Sequence, residues 1–110
     1  MNSNNKKQAQ LHKMELDEKY LSRKLFEISQ NTQLIVANLK KYKLKCKGKN
    51  KGKALVHEKT LIKILRINKQ IMRLLIENDF IPCMDIFGLN LFTIADIEHF
   101  MKANINKHRN

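Results

Sequence analysis

The sequence predicts an all-α protein: a long N-terminal helix, a basic loop, a second amphipathic helix and a short third helix, with a helical-hairpin core that oligomerises. Three observations lead there. Met14, Leu21, Ile28, Ile35 and Tyr42 recur every seven residues, and Leu11, Leu25 and Leu39 fall at the matching offset, broken by Glu18 and Thr32. That is the 3.5-residue seam of a helix that packs along its length. A second apolar stripe follows over residues 58–78, and a lysine-rich run containing glycine separates the two.

The opening MNSNNKKQAQ has no apolar core, so residues 1–10 read as a disordered polar tail and not as a signal peptide or anchor. One helix then runs over residues 11–42. Unbroken, it would be about 48 Å long at 1.5 Å per residue, more than so small a domain encloses. Part of it must therefore meet another helix, from the same chain or from a second subunit. Residues 11–106 form one helical domain, with the basic loop at 43–56 and a frayed tail at 107–110.

In the second helix, Leu61, Ile64, Leu65, Ile71, Met72 and Leu75 make a wide apolar face, placed by turning 100° per residue. Lys59, Lys63, Arg66, Lys69 and Arg73 gather opposite. Pro82 ends this helix, because proline lacks an amide donor and restricts the residue before it. The turn CMDIFGLNLF intervenes, with residues 87–92 as an ambiguous extended run. Thr93, with Asp96 and Glu98, opens the third helix: a hydroxyl caps free amides and acids sit near the positive end of the dipole. Ile94, Ile97, Phe100 and Met101 supply its apolar face, and NINKHRN frays.

Charge is the feature that points to a partner. Lys41, Lys43, Lys45, Lys47, Lys49, Lys51 and Lys53 alternate with other residues, and Gly48 and Gly52 oppose helix continuation. Residues 40–59 hold nine of the 22 Lys and Arg against one acid, Glu58, and so carry +8 of the formal net +12. Such a density of one sign repels itself, and a phosphate backbone relieves the repulsion by exchanging condensed counterions for lysines. The expected ligand is double-stranded DNA, gripped by this run and by Lys59, Lys63, Arg66, Lys69 and Arg73. Phosphate contacts carry no direct sequence information, and no residue identifies itself as a reading head.

Little else in the sequence suggests chemistry. His12, His57, His99 and His108 have no partner at the spacing that builds a metal pair on a helix. The adjacent Glu98 and His99 diverge by about 100° on a helix, and GKNKG lacks the ending of a nucleotide-binding loop. The chain is read as non-enzymatic, without cofactor or metal. Cys46, among lysines, would have its thiolate favoured. Cys46 and Cys83 lack metal spacing, which fits reduced thiols in the cytoplasm, and no stretch approaches the roughly 20 apolar residues of a membrane span.

Residues 20–82 resemble the small subunit of tailed-phage terminases. Tyr20 stands near the start of a helix that leads into KCKGKNKGKALVHEKT, and LIKILRINKQIMRLLIENDFIP then carries a lysine-glutamine pair, Lys69 and Gln70, before a proline. The resemblance implies a DNA-recognition subunit that assembles into a ring, binds the viral packaging site and presents it to the terminase large subunit, an ATPase and nuclease. Two other readings stay open on the residues alone: a small phage or plasmid DNA-binding regulator, and a helical protein-interaction or inhibitor factor.

Overall fold

The computed structural model describes residues 3–45 and 53–108. It is mostly helical, with a small antiparallel sheet: α1 (Ser3–Gln30), α2 (Thr32–Lys45), β1 (Leu55–His57), α3 (Glu58–Leu65), α4 (Lys69–Glu77), β2 (Met84–Ile86), β3 (Leu89–Thr93) and α5 (Ile94–Lys107). The class is therefore not purely all-α. The helix α1 begins inside the stretch read from sequence as a disordered tail.

The expected single helix over residues 11–42 is two helices that meet at Asn31. The hydrogen-bond ladder crosses the junction, since Asn31 N donates to Glu27 O (3.0 Å) and Ile35 N to Asn31 O (3.1 Å). Ser29 Oγ donates to Phe26 O, and Thr32 Oγ1 bonds the Ile28 and Ser29 carbonyls. Hydroxyls that return to carbonyls of the preceding turn compete with the ladder and bend it. The seven-residue seam still organises packing: Leu21, Leu25, Ile28, Ile35 and Leu39 are buried, and Tyr42 packs against them. Its partners lie within the chain, because α1 packs on α4 and α5, and α2 on α3 and α5.

The expected second helix over residues 58–78 is also two, α3 and α4. Arg66 turns the chain with φ 58, where Ile67 N reaches back to Ile62 O (3.1 Å) and Arg66 N to Lys63 O (3.3 Å). This pair of bonds is the Schellman arrangement that satisfies the last carbonyls of a helix. Asn68 then caps α4, its Oδ1 accepting from Ile71 N at 2.9 Å. Pro82 does not end α4. The helix stops at Glu77 by the same device, with Asp79 at φ 58 and Phe80 N donating to Leu75 O at 2.9 Å.

The segment expected as a turn is a β-hairpin, and the sheet order is β1-β3-β2. Val56 pairs with Phe92 and Met84 with Leu91. The two-residue loop is Phe87 (φ 53) and Gly88 (φ 79), both positive as a type I′ turn requires, and Gly88 N donates to Asp85 Oδ1 at 3.0 Å. Nothing lies within 4 Å of where a Gly88 side chain would start, so glycine serves only the backbone angle there.

Thr93 caps α5 as the sequence predicts, its Oγ1 accepting from Asp96 N at 3.1 Å. Ile94, Ile97, Phe100 and Met101 are buried. The helix continues through Lys107 where fraying was expected, held by Asn104, a buried amide whose Nδ2 donates to Leu25 O at 2.8 Å. The carbonyl of Asn104 in turn meets His108 Nδ1 at 2.9 Å, and the His108 ring stands edge-on to Phe26.

Candidate nucleic-acid interface

Two short helices, α3 and α4, are joined by a three-residue turn, Arg66, Ile67 and Asn68, in a helix-turn-helix connection. The apolar side of α4 is Ile71, Met72, Leu74 and Leu75, all buried in the core. Its opposite side presents Lys69, Gln70, Arg73 and Glu77, all exposed. Arg73 and Glu77 approach to 3.7 Å, but both are well exposed and such a pair holds neither residue back from a stronger partner.

The start of α4 is tied to α1 and the start of α3 to β3. Asn68 caps the helix through Oδ1 and donates through Nδ2 to Tyr20 Oη of α1 at 3.1 Å. On the hairpin side, Asn90 of β3 donates to Glu58 of α3 at 3.2 Å. Between α4 and β3 lies an open cleft of about 690 Å³ whose lining includes Glu58, Lys69, Gln70, Arg73 and Asn90.

The structure divides the cations expected to bind phosphate. Lys59 and Lys63 lie one turn apart on α3, Arg66 is in the turn, and Lys69 and Arg73 lie one turn apart on α4, all exposed. They do not form the single stripe of one helix, because the break at residues 66–68 re-aims the second half. Lys41, Lys43 and Lys45 belong to α2 and not to a loop. Lys41 and Lys45 are exposed, whereas Lys43 is half-buried and pairs with Glu98 of α5 at 3.2 Å. Lys53 is exposed just before β1. Lys47, Lys49 and Lys51, with Cys46, Gly48 and Gly52, lie outside the described residues.

Charge is unevenly distributed along the chain. Between Arg73 and Lys102 there is no Lys or Arg, while Glu77, Asp79, Asp85, Asp96 and Glu98 are five of the ten acids. Thirteen of the 22 Lys and Arg lie between residues 40 and 73, six precede that stretch and three follow it. The hairpin carries none of them.

Gln70, which the sequence analysis names only in the lysine-glutamine pair and not among the DNA-contacting residues, shares the exposed side of α4 with Lys69 and Arg73. A Gln amide can donate and accept at once and pairs with the adenine edge, while Lys and Arg pair with guanine. The signal for it was present in Asn68. In an unbroken helix Asn68 would sit on the apolar stripe between Leu65 and Met72, and a polar residue there is better used as the cap of a new helix.

Arg66 is the strained member of the site. A non-glycine residue in the left-handed region costs about 1 kcal/mol or more. Arg66→Gly should therefore raise stability by about 1 kcal/mol, a gain of roughly 4 °C in Tm, while weakening attachment to phosphate. A thermal melt with a DNA titration checks both; a lower Tm would show that the turn carries no strain.

Among the described residues, no group of three His, Cys, Asp or Glu could hold a metal ion, and no helix is long and apolar enough to cross a membrane. Burial, then the Glu58 carboxylate, raises the Cys83 thiol above its usual value, with Asp85 adding and a hydrogen bond from the Leu91 backbone opposing. Cys83 is therefore a thiol and not a thiolate at neutral pH. Compared with known protein families, curated proteins and solved structures, the chain matches none.

Proposed function

We propose that this chain is a non-catalytic, double-stranded DNA-binding protein that lays the start of α4 in the major groove. The observation that carries this reading is the helix-turn-helix itself: a buried apolar side holds α4 in place, and its free side shows Lys69, Gln70 and Arg73 at the N-terminal end. Motifs of this kind touch base edges with that end of the second helix. Lys59, Lys63, Arg66 and the basic run from Lys41 to Lys53 supply phosphate contacts, which orient the protein and set its salt dependence.

Two settings use such a module. The resemblance to terminase small subunits suggests presentation of viral DNA to the terminase large subunit by a ring of copies, and a regulator would instead cover a short operator. Stimulation of a large-subunit ATPase in the presence of DNA distinguishes the first from the second.

The direct test is fluorescence anisotropy on duplex DNA. Lys69→Ala and Arg73→Ala should each weaken binding by about tenfold, within the roughly 1–3 kcal/mol of a good base contact, with circular dichroism unchanged. Should the double variant bind as tightly as the parent, α4 is not the reading helix.

A further inference from the structure

We infer that the outer face of the three-stranded sheet is where two copies of this chain join. The register sorts the strands into two faces. Val56 and Phe92 pair on the inner face, and both are fully buried. The outer face carries Leu55, Leu91, Leu89, Met84 and Ile86, with His57 and Thr93 beside them. Leu55, Met84, Ile86 and Leu89 remain 41, 38, 37 and 49% exposed, and Phe87 at the hairpin tip is 100% exposed. A sheet needs only one apolar face to pack on its own core. This one has two.

The area is of the right order for a pair. A fully exposed phenylalanine offers on the order of 200 Å². With Met84, Ile86 and Leu89 near Phe87 and Leu55 at the far end of β3, the face offers about 500 Å² per copy, at the upper end of the largest patch on an ordinary monomer. Pairing two such faces buries about 1,000 Å², the lower bound for a specific interface. A patch that meets its own copy about a two-fold axis closes the assembly at two, because each copy contributes the same surface, and such a dimer fits a regulator on a short operator and not a ring.

Charge selects the occupant. The outer face has no Lys, Arg, Asp or Glu, and the chain from residue 74 to 101 has no cation at all. A nucleic-acid backbone finds nothing there to neutralise it, and Asp85 beside the tip repels phosphate. Two copies, each with a formal net charge of +12, repel one another everywhere except where positive charge is missing. The sheet is such a place.

Phe87 shows the same preference in its backbone. A bulky residue at φ 53 is an outlier, in a turn position that favours Asn before Gly. A strained and wholly exposed aromatic side chain is poorly explained by the isolated chain, but it is suited to insertion in a partner.

This inference stands apart from DNA binding and is tested without DNA. Sedimentation equilibrium should show a species of twice the 13.0 kDa chain mass. Phe87→Asn creates the preferred Asn-Gly turn, so the folded monomer should be no less stable to urea, while the dimer dissociation constant rises at least tenfold. Ile86→Lys, on the same face, should do the same. A wild-type monomer at the highest soluble concentration overturns the inference, as does a dimer that both variants leave intact. If the wild type is monomeric and Phe87→Asn weakens duplex binding instead, the hairpin serves DNA and the inference is equally wrong.

Discussion

Replacing Phe92 with alanine should cost about 3–5 kcal/mol, the range for deleting a buried aromatic side chain. Phe92 is fully buried and among the largest such side chains in the core. It faces Val56 across the β1–β3 pair and immediately precedes Thr93, the cap of α5. The cavity left behind would therefore open where the sheet meets α3 and α5, both of which pack against β3. Domains of this size are stable by only about 5–15 kcal/mol, so the loss is a large fraction of the whole. Urea denaturation followed by circular dichroism should show the midpoint falling by about 2 M, given slopes of roughly 1–3 kcal/mol/M. A shift below about 0.5 M would mean that the sheet is an ornament on a helical core and not part of it.

That outcome matters for the site as well as for stability. The helix-turn-helix is held between α1, through Tyr20 and Asn68, and β3, through Asn90 and Glu58. Loosening β3 releases the hairpin-side hold on α3, while the α1-side hold on Asn68 remains. Partial unfolding should therefore reduce DNA binding before α1 and α2 lose their helix.

The elements that were legible in the sequence are those whose residues serve one purpose. Thr93, Asp96 and the spacing of Ile94, Ile97, Phe100 and Met101 all favour a helix start followed by a helix face, and α5 begins there. The seam of Leu21, Leu25, Ile28, Ile35 and Leu39 is buried as its period requires. Illegible elements are those in which a residue type stands against its local rule. Arg66, Asp79 and Phe87 occupy the left-handed region that glycine usually marks, so two helix ends and one hairpin passed without a signal. The hairpin was hidden further by its pattern. Met84, Ile86, Leu89 and Leu91 alternate correctly, but the apolar set points outward and only Phe92 points in, so the period of two did not coincide with burial. The cationic residues were visible from the start, yet their division between α2, α3, the turn and α4 depends on breaks at residues 31 and 66–68 that charge spacing does not encode.

On the proposed DNA-binding reading the basic connector and α4 should separate in experiment, one as the source of charge and the other of direction. Changing Lys45, Lys47, Lys49 and Lys51 together to glutamine removes four cations without touching α4. Lys45 is exposed at the end of α2, so its loss leaves no buried group unpaired. If all four meet phosphate, the slope of log affinity against log salt should flatten by about 3.6, at roughly 0.9 per phosphate contact on duplex DNA. In low salt the loss should reach on the order of 10²–10³-fold and shrink as salt rises, since the missing term is counterion release. Preference among DNA sequences should persist, because phosphate contacts position a protein without reading bases. Lys69→Ala or Arg73→Ala should behave oppositely, weakening the preferred sequence more than others with a slope change of about one. An unchanged salt slope in the four-glutamine variant, with helix content intact, would remove the connector from the interface and leave α3 and α4 to bind alone.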